Sequence, residues 1–342
     1  MQNKSSLKTV LSVIIIILLV VGLIYFFSSN SKKREGSPLQ EKNVSAITQA
    51  SKNDYKLVSL KGLEYGTGDQ QFILQTEQGS SGPSLADVDN SGTAVIINSA
   101  SDVKILNSSG ELKTIANDMY PTNATIDDNG NVYVLTDNQP SRPALVKYSA
   151  GGKISLPINS TFLKSFVRGN ENLFKPVIYN DYLYLVRIGQ QVSYKIAPID
   201  NLNNINSANF EKFDGIYGIT GERFSTKINS KDNNVSLNVI SKDNTKKTFT
   251  FNVNNPAGFF FIGEDLAGNA YTNVQIYKSQ SPLKVSSEIY KIDVNGNIVS
   301  KIQLPEIYYG YSSNLLEVDA SGNIWNLNPQ KDKAYLEKYI GQ

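Results

Sequence analysis

The chain of 342 residues has no cysteine and no histidine, one tryptophan and two methionines. Without cysteine there is no disulfide and no thiolate chemistry. That absence suits an oxidising exterior, where a free thiol is a liability. Without histidine the commonest general base and the commonest transition-metal ligand are missing, so nucleophilic triads built on histidine or cysteine are excluded. A Ser-Lys pair stays open but has no local signature. An excess of either charge is lacking too: 33 Lys and Arg face 31 Asp and Glu, for a net charge of +2. The two signs are interspersed, and a nucleic-acid partner would call for a basic patch or a domain pI above about 9. Finally, from about Asn53 onward there is no sustained 3.6-residue periodicity.

What is present favours strands. Nineteen tyrosines and fourteen phenylalanines accompany many valines and isoleucines, residue types suited to a pleated, half-buried surface. Asn, Ser and Gly are frequent, as tight turns require. The long apolar run lies at the N-terminus: Val10 to Phe27 reads VLSVIIIILLVVGLIYFF, eighteen residues without a charge. As a helix it would span about 27 Å, close to a hydrocarbon core of about 30 Å. Tyr25, Phe26 and Phe27 fall where interfacial aromatics sit. The rival is a signal peptide, whose apolar region is usually only ~7–15 residues and is followed by a small-x-small site. Ser29-Asn30-Ser31 is a poor one, so an uncleaved anchor is expected. Residues 1–9 are then a tail, 10–27 a transmembrane helix, 28–52 a polar flexible linker and 53–342 one folded domain. Lys32, Lys33 and Arg34 make the C-terminal flank the more basic, yet long domains translocate largely regardless of charge. Lys4 and Lys8 precede the run as in an export signal. The domain is therefore expected outside the cytoplasm, on a single-pass protein of the cell membrane.

Within 53–342 one cassette recurs: apolar strand, Asp-x-x-Gly, apolar strand. It is seen at Asp89–Gly92, Asp127–Gly130, Asp265–Gly268 and Asp319–Gly322, three of them followed by Asn. Asp accepts local backbone hydrogen bonds where the turn starts, and Gly takes the positive φ that closes it. A second hairpin follows in most copies, clearest at Ile289-Tyr290-Lys291-Ile292-Asp293-Val294-Asn295-Gly296-Asn297-Ile298. Two hairpins per repeat make one propeller blade. The interval between Gly130 and Gly268 has room for two degenerate blades. One is Val177–Leu185 with Asn180-Asp181 as its turn, the other Phe224–Val239. Six blades at a mean spacing of roughly 46 residues fit the ~40–50 of propeller repeats. Tyr55–Leu60 is expected to close the ring as the outer strand of the last blade, beside Tyr335–Ile340. The fold expected is all-β, a six-bladed β-propeller; the alternative, seven blades, would need a blade within Leu63–Gln78.

The pattern Gly82-Pro83-Ser84-Leu85-Ala86-x-x-Asp89-x-x-Gly92 followed by Ile96-Ile97, with Tyr65-Gly66-Thr67-Gly68 before it, resembles the NHL-like six-bladed β-propellers over residues 53–342. The chain departs from that family at Asn98-Ser99-Ala100-Ser101, where members often carry an Asp, an Asn and an Arg. An anchored extracytoplasmic propeller of this kind is similar to the sensor half of some bacterial receptors. The likeness carries structural motifs and implies no activity.

The turns Asp127-Asp128-Asn129 resemble part of a calcium loop but lack its distal bidentate Glu, and are read as turns. The clusters Phe259-Phe260-Phe261 and Tyr308-Tyr309-Gly310-Tyr311 are read first as packing between blades. The connections Asp118–Asn123, Thr136–Pro143, Ser155–Lys175, Asp200–Gly221 and Pro305–Ser313 are read as long loops on the face opposite the Asp-x-x-Gly turns. They carry Tyr120, Arg142, Arg168, Tyr217, Tyr309 and Tyr311, an aromatic and basic set suited to interface anchors. The function expected is a binding or scaffolding module for a protein or cell-envelope glycan docking on that face, with no catalytic residue and no cofactor. The alternative is a metal-dependent hydrolase or lactonase with a divalent ion in the propeller channel.

Overall fold

A computed structural model of the chain describes residues 41–45, 55–74, 82–98, 102–117, 120–137, 143–150, 155–158, 160–170, 173–206, 210–280, 283–306 and 315–341. The run Val10–Phe27 lies outside them. Among the described residues no helix is long and apolar enough to cross a membrane.

The two-hairpin repeat folds into four-stranded antiparallel blades. Blade 1 holds β3 (Pro83–Val88), β4 (Ala94–Asn98), β5 (Asp102–Leu106) and β6 (Leu112–Asn117). Blade 2 holds β7 (Pro121–Ile126), β8 (Val132–Thr136), β9 (Leu145–Tyr148) and β10 (Ser155–Ile158). Blade 3 holds β11 (Phe174–Tyr179), β12 (Tyr182–Arg187), β13 (Val192–Pro198) and β14 (Glu211–Asp214). Blade 4 holds β15 (Ile216–Tyr217), β16 (Arg223–Asn229), β17 (Asn234–Ile240) and β18 (Lys246–Asn252). Blade 5 holds β19 (Pro256–Glu264), β20 (Ala270–Gln280), β21 (Leu283–Ile292) and β22 (Ile298–Gln303). Blade 6 combines β23 (Leu316–Val318), β24 (Ile324–Pro329) and β25 (Lys333–Gly341) with β2 (Tyr55–Glu64). The blades follow one another in chain order, through contacts of β3 with β7, β7 with β11, β13 with β15, β16 with β19 and β19 with β23, and the ring returns from β23 to β3.

β2 pairs antiparallel with β25 from Tyr55↔Gly341 to Glu64↔Lys333, so the ring is closed by joining the two ends of the domain. Tyr55 fastens the seam further: its hydroxyl lies 3.1 Å from that of Tyr271 and donates to the Gly322 carbonyl. Leu63–Gln78, where a seventh blade would have to sit, contributes to the described structure the end of β2 and one bridge between Tyr65 and Phe72.

The apolar core lies between blades. Tyr133, Leu145, Leu183 and Leu185 join blades 2 and 3. Phe224, Leu237, Phe259 and Val274 join blades 4 and 5. Leu85, Ile96, Leu327 and Leu336 join blades 6 and 1 around Phe72. Between blades 3 and 4 an aromatic cluster takes this role: Tyr217 lies 5.2 Å from Tyr179 and 4.7 Å from Tyr184 between ring centroids.

Two segments depart from the sequence expectation. Ser155–Lys175 is not a bare loop. It holds β10 and the helix α1 (Thr161–Val167), whose amide at Leu163 donates to the Ser160 hydroxyl as an N-cap and whose Leu163 and Val167 are buried. Asp200–Gly221 likewise contains β14 and β15. Tyr217 is thus part of an innermost strand, and Phe224–Val239 forms the second and third strands of blade 4. A two-residue first strand has no alternation to read, so the sequence alone shows only the Phe224–Val239 hairpin that follows it. β1 (Glu41–Ser45), inside the segment read as a linker, adds to the outer edge of blade 4 in parallel with β18.

Candidate functional site

The six innermost strands, β3, β7, β11, β15, β19 and β23, surround a cavity of about 840 Å³ that takes lining residues from every blade. That volume falls within the ~300–1,000 Å³ of small-molecule sites. The position follows from blade topology, which brings each repeat's first strand to the axis.

Charged residues tie the walls together. Lys175 of blade 3 reaches across to pair with Glu317 of blade 6, on the opposite side of the ring. Asp87 of blade 1 accepts from the Thr125 hydroxyl at 2.5 Å and the Ile126 amide at 3.0 Å, both in blade 2. Glu264 of blade 5 accepts from the Thr220 hydroxyl at 2.6 Å and amide at 3.0 Å, joining blade 4. Burial pushes Glu317 up to about 7, against the attraction of Lys175. Burial alone would lower Lys175, but the carboxylates of Glu317 and Asp87 outweigh it and hold the ammonium above its usual value. Burial likewise raises Glu264, partly offset by the Thr220 donors.

The turn aspartates are saturated by their own cassette. Asp127 accepts from the amides of Asn129 and Asn131, from the Asn131 side chain and, at 2.9 Å, from the Tyr133 hydroxyl. Asp265 does the same with Asn269 and Tyr271, and Asp319 with Asn323 and the Trp325 indole. Lys147, Lys291 and Lys338 lie over the faces of Tyr133, Tyr271 and Trp325. These carboxylates act as acceptors that tie each turn to the aromatic side chain of the following strand. Among the described residues no group of three or more His, Cys, Asp or Glu converges on one point.

Of the residues singled out in the sequence, Tyr217 lines the cavity while packing in the seam between blades 3 and 4. Tyr120, exposed with φ of 47°, precedes β7, and Arg168 is the exposed C-cap of α1. Neither lines the cavity. Arg142, Tyr309 and Tyr311 lie outside the described residues. Phe259 and Phe261 turn toward blade 4, Phe261 stacking on Phe224 at 4.4 Å, whereas Phe260 lies on the opposite face of the strand and is 46% exposed; Phe260 and Phe261 both line the cavity. Sequence reasoning missed Lys175, Glu317, Asp87, Asn273 and Asn326. One signal was available: β24 is buried throughout yet contains Asn326 and Asn328, and a polar residue in a buried strand needs a partner or a purpose.

No family model matches the chain, and no curated protein matches it. Among solved structures it is similar to a putative exported protein of Bacteroides fragilis (11% identity, TM-score 0.43, covering 88% of this chain and 100% of that one). It is also similar to hydrazine synthase of Kuenenia stuttgartiensis (14%, 0.42, covering 74% and 76%) and to apo AztD of Citrobacter koseri (12%, 0.37, covering 76% and 90%). At these values the likenesses add nothing to what the strand topology itself establishes: an all-β propeller of six blades.

Proposed function

We propose that this chain is an NHL-like, membrane-anchored propeller that acts outside the cytoplasm as a binding or scaffolding module. One observation supports binding over catalysis. Among the described residues, all six carboxylates lining the channel cavity, those of Asp87, Asp89, Asp128, Glu264, Glu317 and Asp319, already hold protein donors. A carboxylate engaged as a structural acceptor is poorly placed to attack a substrate or collect a metal. The partner is a protein or envelope glycan, with Tyr120, Arg142, Arg168, Tyr309 and Tyr311 as the outer contacts and Tyr217, on the innermost strand β15, as a contact within the channel. Pull-down from native membranes with the full chain tests this. Replacing Tyr309, Tyr311 and Arg168 with Ala should abolish capture at an unchanged melting temperature; undiminished capture would rule out that face.

The second reading, a hydrolase with a divalent ion in the channel, is favoured by Glu317, whose protonation near neutrality suits a proton carrier. Elemental analysis of the dialysed protein separates the two, since stoichiometric calcium, zinc or manganese would overturn the binding reading.

A further inference from the structure

The polar groups that the fold leaves unused in this cavity are neutral amides, gathered where blades 5 and 6 meet. Asn273 is 9% exposed and lines the cavity. Its Oδ1 accepts from the Ser287 hydroxyl at 2.6 Å, which leaves Nδ2 without a partner among the described residues. Gln275, two residues on and on the same sheet face, has no side-chain partner among the described residues and lines the cavity as well. Across the ladder Phe260 stands opposite Asn273, and Gly258 stands opposite Gln275. A Cβ on Gly258 would sit 2.5 Å from the Phe260 ring and 2.6 Å from Gln275 Oε1. The missing side chain is therefore what lets the aromatic ring and the amide share one spot.

Blade 6 supplies the complementary group. Glu337, buried, accepts from Asn326 Nδ2 at 2.7 Å, Asn328 Nδ2 at 2.9 Å and the Tyr339 hydroxyl at 2.8 Å. This fixes the Asn326 amide with its nitrogen toward Glu337. Its Oδ1 is left as an acceptor without a partner among the described residues, on a side chain only 2% exposed that lines the cavity. A buried amide normally finds a partner for each half. Here two amides, each oriented by a neighbour, keep one half free toward the same cavity, one offering a donor and the other an acceptor.

A ligand for this place must both accept and donate hydrogen bonds, carry no compulsory charge, and present an apolar face to a phenyl ring. Hydroxyls on a saturated ring do all three. We propose that the junction of blades 5 and 6 binds a neutral carbohydrate, with Phe260 stacking against a sugar ring, Asn273 donating to a hydroxyl or ring oxygen, and Asn326 accepting from a hydroxyl. This rests on the binding reading above and narrows its ligand class. The charged wall of the same cavity argues for a cation only if its carboxylates were free, and they are engaged.

The test titrates chitotriose, cellotriose and maltotriose by calorimetry into the full chain held in lipid nanodiscs, which avoids sugar-based detergents. At least one should bind saturably. Phe260→Ala and Asn273→Ala should each weaken it about tenfold or more, and Val294→Ser, on an exposed turn, should not. Asn273→Asp keeps the shape but replaces the donor with an acceptor; it should lose binding at an unchanged melting temperature, which covers the case in which the alanine variants unfold. Binding that ignores Phe260 and Asn273 overturns the site. No binding by any of the three overturns the ligand class, as does binding by 1,4-diaminobutane alone. Membrane pull-down that persists in those cases leaves the binding reading standing, and pull-down no better than an anchor-only control removes both.

Discussion

At the scale of single residues, the repeated Asp-x-x-Gly-Asn cassette is as much a packing device as a turn. Asp127 is buried and bonds its own turn and the buried Tyr133 hydroxyl together. Burial and the adjacent carboxylate hold that phenol far above its usual range, so it stays a donor at any working pH. Asp89 serves an equivalent turn but bonds only Ser91 and Thr93. Asp127→Ala should therefore cost about 3 kcal/mol and Asp89→Ala only about 1 kcal/mol, read from denaturant midpoints; equal losses would mean that the aromatic anchor contributes nothing. A pH effect belongs to Glu317. Its folded value, raised from 4.5 to about 7, means that the folded state keeps a proton the unfolded chain has lost over that interval. The stability it contributes is fully present below 4.5 and is lost as pH rises through 7. The melting temperature of the natural protein should fall between pH 5 and pH 8 relative to Glu317→Gln, whose amide has no proton to lose. Parallel profiles would show that Lys175 cancels the effect of burial.

At the scale of elements, closure by β2 is the test of how the ring holds. Its ladder to β25 covers the outer edge of blade 6, and Tyr55 at its start packs against Tyr271, Ile324 and Tyr339 of blades 5 and 6. A chain beginning at residue 62 should lose roughly several kcal/mol relative to one beginning at residue 50, because it exposes a strand edge and the apolar surface beneath it. Equal melting temperatures would show that β2 is dispensable. The turn at Asn180-Asp181 was legible for a local reason: φ of 49° and 60° at successive residues is what Asn and Asp tolerate best after glycine. β1 was not legible, because Glu41–Ser45 takes its partner from Lys246–Thr250, some two hundred positions along the chain, and five polar-leaning residues show no pattern of their own.

At the scale of the whole molecule, the run Val10–Phe27 should remain in the mature protein as its anchor, since it is longer than a signal-peptide core and lacks a good cleavage site. Intact mass or N-terminal sequencing of membrane-extracted protein decides this; a chain starting near Lys32 would refute it. By itself the sequence determined the propeller, the six blades and the closing strand. Those features rest on turn chemistry and strand alternation, which are written in neighbouring residues and repeat. The tertiary structure alone decided what occupies the axis. Lys175 meets Glu317 from the opposite side of the ring, and the half-used amides of Asn273 and Asn326 come to one cavity from separate blades. Those residues belong to different repeats, so their meeting depends on the curvature of the ring and on which half of each amide a neighbour has already taken, and neither is encoded in any local stretch of chain.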